Sequence, residues 1–145
     1  RQLEEQDARQ LLKRFGFEGT FGSGDDLYRG TISVSLLELA TAYATIIQHG
    51  SRPTPVFVRE ILHEEKTLFR RPPSFFPAFS PHSRLNSIPR LLSGRSLPKC
   101  DLWAAALGEE KVIVVWIGYD KPRLLEFEEG VTKGLREKLE NLLRQ

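Results

Sequence analysis

Ser96-Leu-Pro-Lys99 is the only place in this 145-residue chain where a lysine stands three residues after a serine. That spacing lets an amine manage the proton of a hydroxyl attacking a carbonyl, the opening step of acyl transfer. Pro98 falls inside the turn that would have to be helical, so Ser96 is not assigned as a nucleophile. A serine–histidine–acid triad cannot be argued either, because chain order does not fix one. His49, His63 and His82 are scattered, and His63-Glu-Glu-Lys-Thr67 lacks the second histidine of a zinc-binding helix. Neither a metal nor any other cofactor is expected. Gly19, Gly22 and Gly24 give the order G-x-x-G-x-G, but no strand pattern precedes them, so they are read as a loop rather than a phosphate cradle.

Charge placement is the remaining chemical signal. The chain carries a net +2, yet residues 66–100 hold Lys66, Arg70, Arg71, Arg84, Arg90, Arg95 and Lys99 with no acid, a local +7 that leaves −5 elsewhere. Phe69, Phe75, Phe76 and Phe79 are interleaved with them. Such a segment suits an anionic polymer, a membrane surface or single-stranded nucleic acid. The candidate anion-binding residues are Arg70, Arg71, Arg84, Arg90, Arg95 and Lys99. No recognition motif accompanies the charge, which puts nucleic acid last among these partners. A solvated loop that pins its phenylalanines on the core would produce the same pattern without a ligand.

The elements that position these residues follow from periodicity. Residues 3–15 read as a polar helix with Ala8, Leu11, Leu12 and Phe15 on one face and Gly16 as its stop. Ser35-Leu-Leu-Glu38 is a capping box, and the helix it opens, 35–49, is apolar nearly all round, which predicts burial, with Gly50 as a left-handed cap. Strand-like alternation runs from Pro55 to Leu62, with a return near Thr67 to Phe69. Pro72, Pro73, Pro77, Pro81, Pro89 and Pro98 make 70–98 an irregular basic segment without a long helix or central strand; only 83–92 has room for a short helix. A strand pair follows at 102–107 and 112–117, then a helix at about 128–144 with Val131, Leu135, Leu139, Leu142 and Leu143 in its stripe. The strand 112–117 is apolar at every position, which predicts a central strand covered on both faces. Only one neighbour for it, 102–107, is evident, so another segment or chain is expected to pair along 112–117.

Three segments, in order, carry a family resemblance. Residues 30–55, GTISVSLLELATAYATIIQHGSRPTP, resemble the "plELAtAYatfANgG…p" helix of the bacterial penicillin-binding transpeptidase domain. Leu11-Leu-Lys-Arg-Phe-Gly-Phe17 is similar to the "LlrrLGF" helix end of the bifunctional class of these proteins. Asp101-Leu-Trp-Ala-Ala-Ala-Leu107 with Val112-Ile-Val-Val-Trp-Ile-Gly-Tyr-Asp120 looks like the family's "DaWFvGyt…vvvWvGyD" strand pair. The family uses Ser-x-x-Lys, Ser-x-Asn and Lys-Thr-Gly motifs. The last two are missing from this chain, and Ser96-Leu-Pro-Lys99 lies where Lys-Thr-Gly would fall, so no catalytic residue carries over.

The resemblance implies an α+β fold: a short antiparallel sheet built on the hairpin at about 102–117 and covered by the helices 35–49 and 128–144. It also implies a bacterial protein of the periplasm, or the outer face of the cytoplasmic membrane, working with cell-wall synthesis proteins. Residues 1–145 are expected to be one partial domain, since the chain begins at Arg1 and has no methionine. Composition is ordinary for a globular protein, with 40% hydrophobic and 28% charged residues. No apolar run approaches the length of a membrane-spanning helix, and there is no signal-peptide pattern at the start. Cys100, the single cysteine, excludes an internal disulfide and is read as a small core residue. The first functional expectation is a non-catalytic structural or regulatory part of a peptidoglycan transpeptidase-like protein. The alternatives are a fragment of an active D,D-transpeptidase with its serine upstream of Arg1, and an anionic-polymer-binding module using 66–100. The strand partner expected along 112–117 is the N-terminal portion of the same parent, or another chain.

Overall fold

Helix α1 (Glu5–Phe15) ends where glycine permits it: Gly16 has φ 97° and its N–H donates to the Lys13 carbonyl at 3.0 Å. The computed structural model describes residues 4–30, 32–81, 88–95, 100–126 and 131–144, and the chain divides into two compact units, 1–83 and 84–145. Both units mix helices with short antiparallel sheets, so the fold is α+β.

In the first unit, Ala8 and Phe15 form the buried side of α1. Arg9 ties the glycine-bearing loop to it by donating to the carbonyls of Phe21 at 3.0 Å and Gly22 at 2.6 Å. That loop contains one short helix, α2 (Asp25–Tyr28), which buries Leu27. Helix α3 (Leu36–Ile47) opens in the expected capping box. The Glu38 amide donates to Ser35 Oγ at 3.1 Å, and the Ser35 amide donates to the Glu38 carboxylate at 2.7 Å. Its enclosure is less than its composition implies. Only Ala42 and Thr45 are buried, while Leu36 and Leu37 are exposed. The helix packs chiefly on α1 and β1 (Ser51–Pro53), and two neighbours cannot cover an apolar surface that runs all round.

His49 and Gly50 then turn the chain through left-handed backbone, φ 51° and 96°. Beyond β1 the chain runs out through the hairpin β2 (Glu60–His63) and β3 (Lys66–Arg70) and returns in β4 (Phe75–Pro77), antiparallel to β1. The expected strand from Pro55 is thus shorter, because regular pairing starts only at Glu60. Gly50 sits at the close approach of the two returning segments. Its carbonyl accepts from the Ala78 amide at 2.8 Å, and a Cβ on it would overlap the Phe79 carbonyl.

The second unit is a three-stranded antiparallel sheet, β5 (Leu91–Arg95), β6 (Leu102–Leu107) and β7 (Val112–Ile117), in that order. Leu91 and Leu92 are therefore strand; the rest of the possible helix at 83–92 lies largely outside the described residues. Helix α4 (Val131–Arg144) packs on β6, with Leu139 over Ala104 and Ala106 and with Leu91, Ile113, Val115, Leu135 and Leu143 around them. Val131 and Leu142 of the expected stripe are exposed. The small alanines let the helix approach a strand that β propensity alone would not favour.

The central position belongs to β6, not to the strand 112–117. β5 takes the far side of β6, and among the described residues no strand pairs with the outer side of β7. All six residues of β7 are half-buried rather than enclosed on both faces.

Two outcomes follow for the first unit. Gly50→Ala is expected to lose more than the roughly 1–2 kcal/mol of a left-handed alanine, because it adds the Phe79 clash; urea unfolding measures this. For Glu38, the amide of Glu18, then the amide and hydroxyl of Ser35, hold its carboxyl below the usual carboxylate range. Stabilisation from a lowered pKa is full above the unfolded value and drains away as pH falls through the folded one. Glu38→Gln should therefore be less stable than the native chain at neutral pH, with the gap closing toward acid; a gap independent of pH would contradict the capping assignment.

Candidate functional site

The β2–β3 hairpin turns on only two residues, Glu64 and Glu65, both left-handed at φ 46° and 63°. This is the type I′ geometry that matches strand twist, built here without the usual Asn-Gly. Glu60 lies opposite Arg70 and Ile61 opposite Phe69; the register then shifts, and Leu62 faces Thr67 and His63 faces Lys66. The Arg71 amide donates to the Arg59 carbonyl at 2.9 Å, which carries the pairing one step further to Arg59 and Arg71.

Opposed residues share a face and successive ones alternate. One face therefore holds Arg59, Arg71, Ile61, Phe69, His63 and Lys66. The other holds Glu60, Arg70, Leu62 and Thr67. On this second face the Glu60 carboxylate accepts from Arg70 Nη2 at 2.7 Å, Arg70 Nε at 2.9 Å and Thr67 Oγ1 at 3.3 Å. The strands' one carboxylate is thereby neutralised away from the first face. Arg59, Lys66 and Arg71 make no ion pair among the described residues. Glu64 of the turn lies 3.9 Å from His63 Nε2 on the first face.

This charge stands among uncovered apolar groups. Phe57, 85% exposed, and Val58 lead into the hairpin, and Ile61, Leu62, Leu68 and Phe69 are exposed along it. Phe75 and Phe76 on β4 are exposed too, with the Arg52 guanidinium 5.6 Å from the Phe76 ring centre. An uncovered apolar cluster of this kind marks an interaction surface.

The described sequence-derived cations are divided between the two units. Arg70 is consumed by Glu60, and Arg71 belongs to the basic hairpin face. Arg90 and Arg95 belong to the second unit, where Arg90 lies 3.8 Å from Glu109 and Arg95 donates to Thr132 Oγ1 at 3.3 Å. Arg84 and Lys99 lie outside the described residues, as do Ser96 and His82. Arg59 was missed because it precedes the acid-free window. Placing a two-residue turn at Glu64-Glu65 would have aligned it with Arg71. Cys100 is half-buried rather than enclosed. Among the described residues no group of His, Cys, Asp and Glu could hold a metal ion, and no helix is long and apolar enough to cross a membrane.

A cleft of about 780 Å³ in the second unit lies between the β6–β7 turn and the end of α4. Its arginines and lysine alternate with Glu109, Glu110 and Glu140, so its field favours neither sign.

The turn offers a direct test of the hairpin register. Replacing Glu64-Glu65 by Asn-Gly should stabilise the hairpin by about 1 kcal/mol or more, since left-handed backbone costs ordinary residues roughly 1–2 kcal/mol each. Slower amide exchange across residues 60–70 would show it; unchanged exchange would contradict the I′ turn. No protein-family model and no curated protein matches this chain.

Proposed function

We propose that this chain is a non-catalytic, structural or regulatory portion of a penicillin-binding transpeptidase-like protein in bacterial peptidoglycan synthesis. The observation that carries the reading is the run of three segments in family order, on the end of α1, the capped helix α3 and the antiparallel ribbon β6–β7. Lys-Thr-Gly is missing from the stretch near residues 94–100 where the family would carry it, and β5, which ends in that stretch, reads Leu91-Leu-Ser-Gly-Arg95. The sequence has no Ser-x-Asn and no Lys-Thr-Gly, and Pro98 interrupts its one Ser-x-x-Lys, so the family's acyl-transfer residues do not carry over to this chain. Its role would be to complete and support a sheet supplied partly from elsewhere in the parent, at the periplasmic side of the membrane.

Among the described residues no strand pairs with the outer edge of β7, which supports a second reading: a fragment of an active D,D-transpeptidase whose serine lies upstream of Arg1, with the N-terminal portion of the parent pairing along 112–117. A fluorescent β-lactam separates the two. This chain should remain unlabelled, and covalent labelling of it would refute the non-catalytic reading. Labelling of a longer parent protein, at a serine outside this chain, supports the fragment of an active enzyme.

A further inference from the structure

Independently of that reading, we infer that the basic face and root of the β2–β3 hairpin form a docking surface for an anionic lipid bilayer. The argument starts from the register. Pairing places Arg59 beside Arg71 and puts Lys66 on the same face, and the one strand carboxylate, Glu60, is turned to the opposite face and held by Arg70. The three cations are exposed and unpaired by any described carboxylate, so an anionic surface meets no competing internal partner.

The apolar residues identify the class of anion. A soluble polyanion would use the arginines alone, and single-stranded nucleic acid would add aromatic rings for stacking. Here Ile61 and Phe69 stand exposed on the basic face, Phe57 and Val58 at its root and Leu68 at the register shift, so aliphatic chains accompany the rings. Aliphatic side chains next to guanidinium groups match a lipid interface, where hydrocarbon lies just beneath a layer of phosphate. A bare two-stranded hairpin is also marginal in water, so a surface that covers its apolar groups stabilises it.

The root is held in place from both sides. Residues 54–74 leave and re-enter through β1 and β4, whose ladder runs from Ser51–Pro77 to Pro53–Phe75 and is extended by the Thr54 amide donating to the Ser74 carbonyl at 2.9 Å. Phe57 stands in the ascending segment, outside both ladders, so it can be changed without breaking a strand pair.

The test is co-sedimentation of the whole chain with vesicles of phosphatidylglycerol and phosphatidylcholine, against phosphatidylcholine alone, with inorganic polyphosphate as a soluble polyanion. The native chain should sediment with the anionic vesicles only. Arg59→Glu with Arg71→Glu should lower partitioning about tenfold or more. Phe57→Ser should weaken vesicle binding while leaving any polyphosphate binding unchanged, and circular dichroism verifies that each variant is folded. If the double charge reversal prevents folding, Phe57→Ser decides alone. Absence of binding to the anionic vesicles, or binding that Phe57→Ser leaves intact, overturns the inference. Equal capture by polyphosphate and vesicles, insensitive to Phe57, would assign the face to soluble polyanions instead.

Discussion

The first unit depends on one close approach, the Gly50 backbone against the Phe79 carbonyl. Left-handed backbone at His49 and Gly50 ends α3 and sends the chain into β1, and the Gly50 carbonyl receives the Ala78 amide as β4 comes back alongside. Phe79 is thereby placed to stack on Phe15, with ring centres 5.4 Å apart, which joins the returning strand to α1. Arg52 on β1 adds a second link by capping the Lys13 and Arg14 carbonyls at the end of that helix. Any side chain at position 50 would push β4 outward and disturb all of these together. Only glycine satisfies both the backbone angle and the space.

The second unit rests on small residues instead. Ala104 and Ala106 let Leu139 reach the sheet, and β6 gains neighbours on both of its edges. Trp116 is anchored by its indole N–H, which donates to Asp101 Oδ1 at 3.0 Å. The sheets of the two units treat their rims differently. Pro53 and Pro77 lie in the β1–β4 pair and remove backbone donors, which discourages further strands. β7 carries neither proline nor charge between Val112 and Ile117, so its rim has no such protection.

Local signals were legible and long-range ones were not. The stop of α1 at Gly16, the Ser35–Glu38 box and the β6–β7 ribbon each depend on residues within a few positions of one another, and each was read correctly. The pairing of β5 with β6 joins strands across a proline-bearing connection, and Leu91-Leu-Ser-Gly-Arg95 lacks the alternation that would announce it. That missing neighbour is why β7 was expected at the centre. The burial of α3 was overread for a related reason: composition reports how much apolar surface a helix has, not how much cover its own unit supplies. Among the cations, a window count found an acid-free run, but Glu60 lies just before the window and reaches Arg70 only through the hairpin register. Conversely, the Arg59–Arg71 pairing depends on the length of one turn, which no charge count contains.

The carboxylates at that turn give the hairpin an electrical polarity. Glu64 and Glu65 sit at its tip, while Arg59 and Arg71 sit at its base. The strands are about 15 Å long at roughly 3.4 Å per residue, longer than the ~10 Å screening distance at 0.1 M salt. A negatively charged plane therefore acts on the two ends as separate poles, repelling one while drawing in the other. Lys66 offsets one of the two tip carboxylates, so the pull on the base outweighs the push on the tip and the ribbon settles with its base nearer the plane.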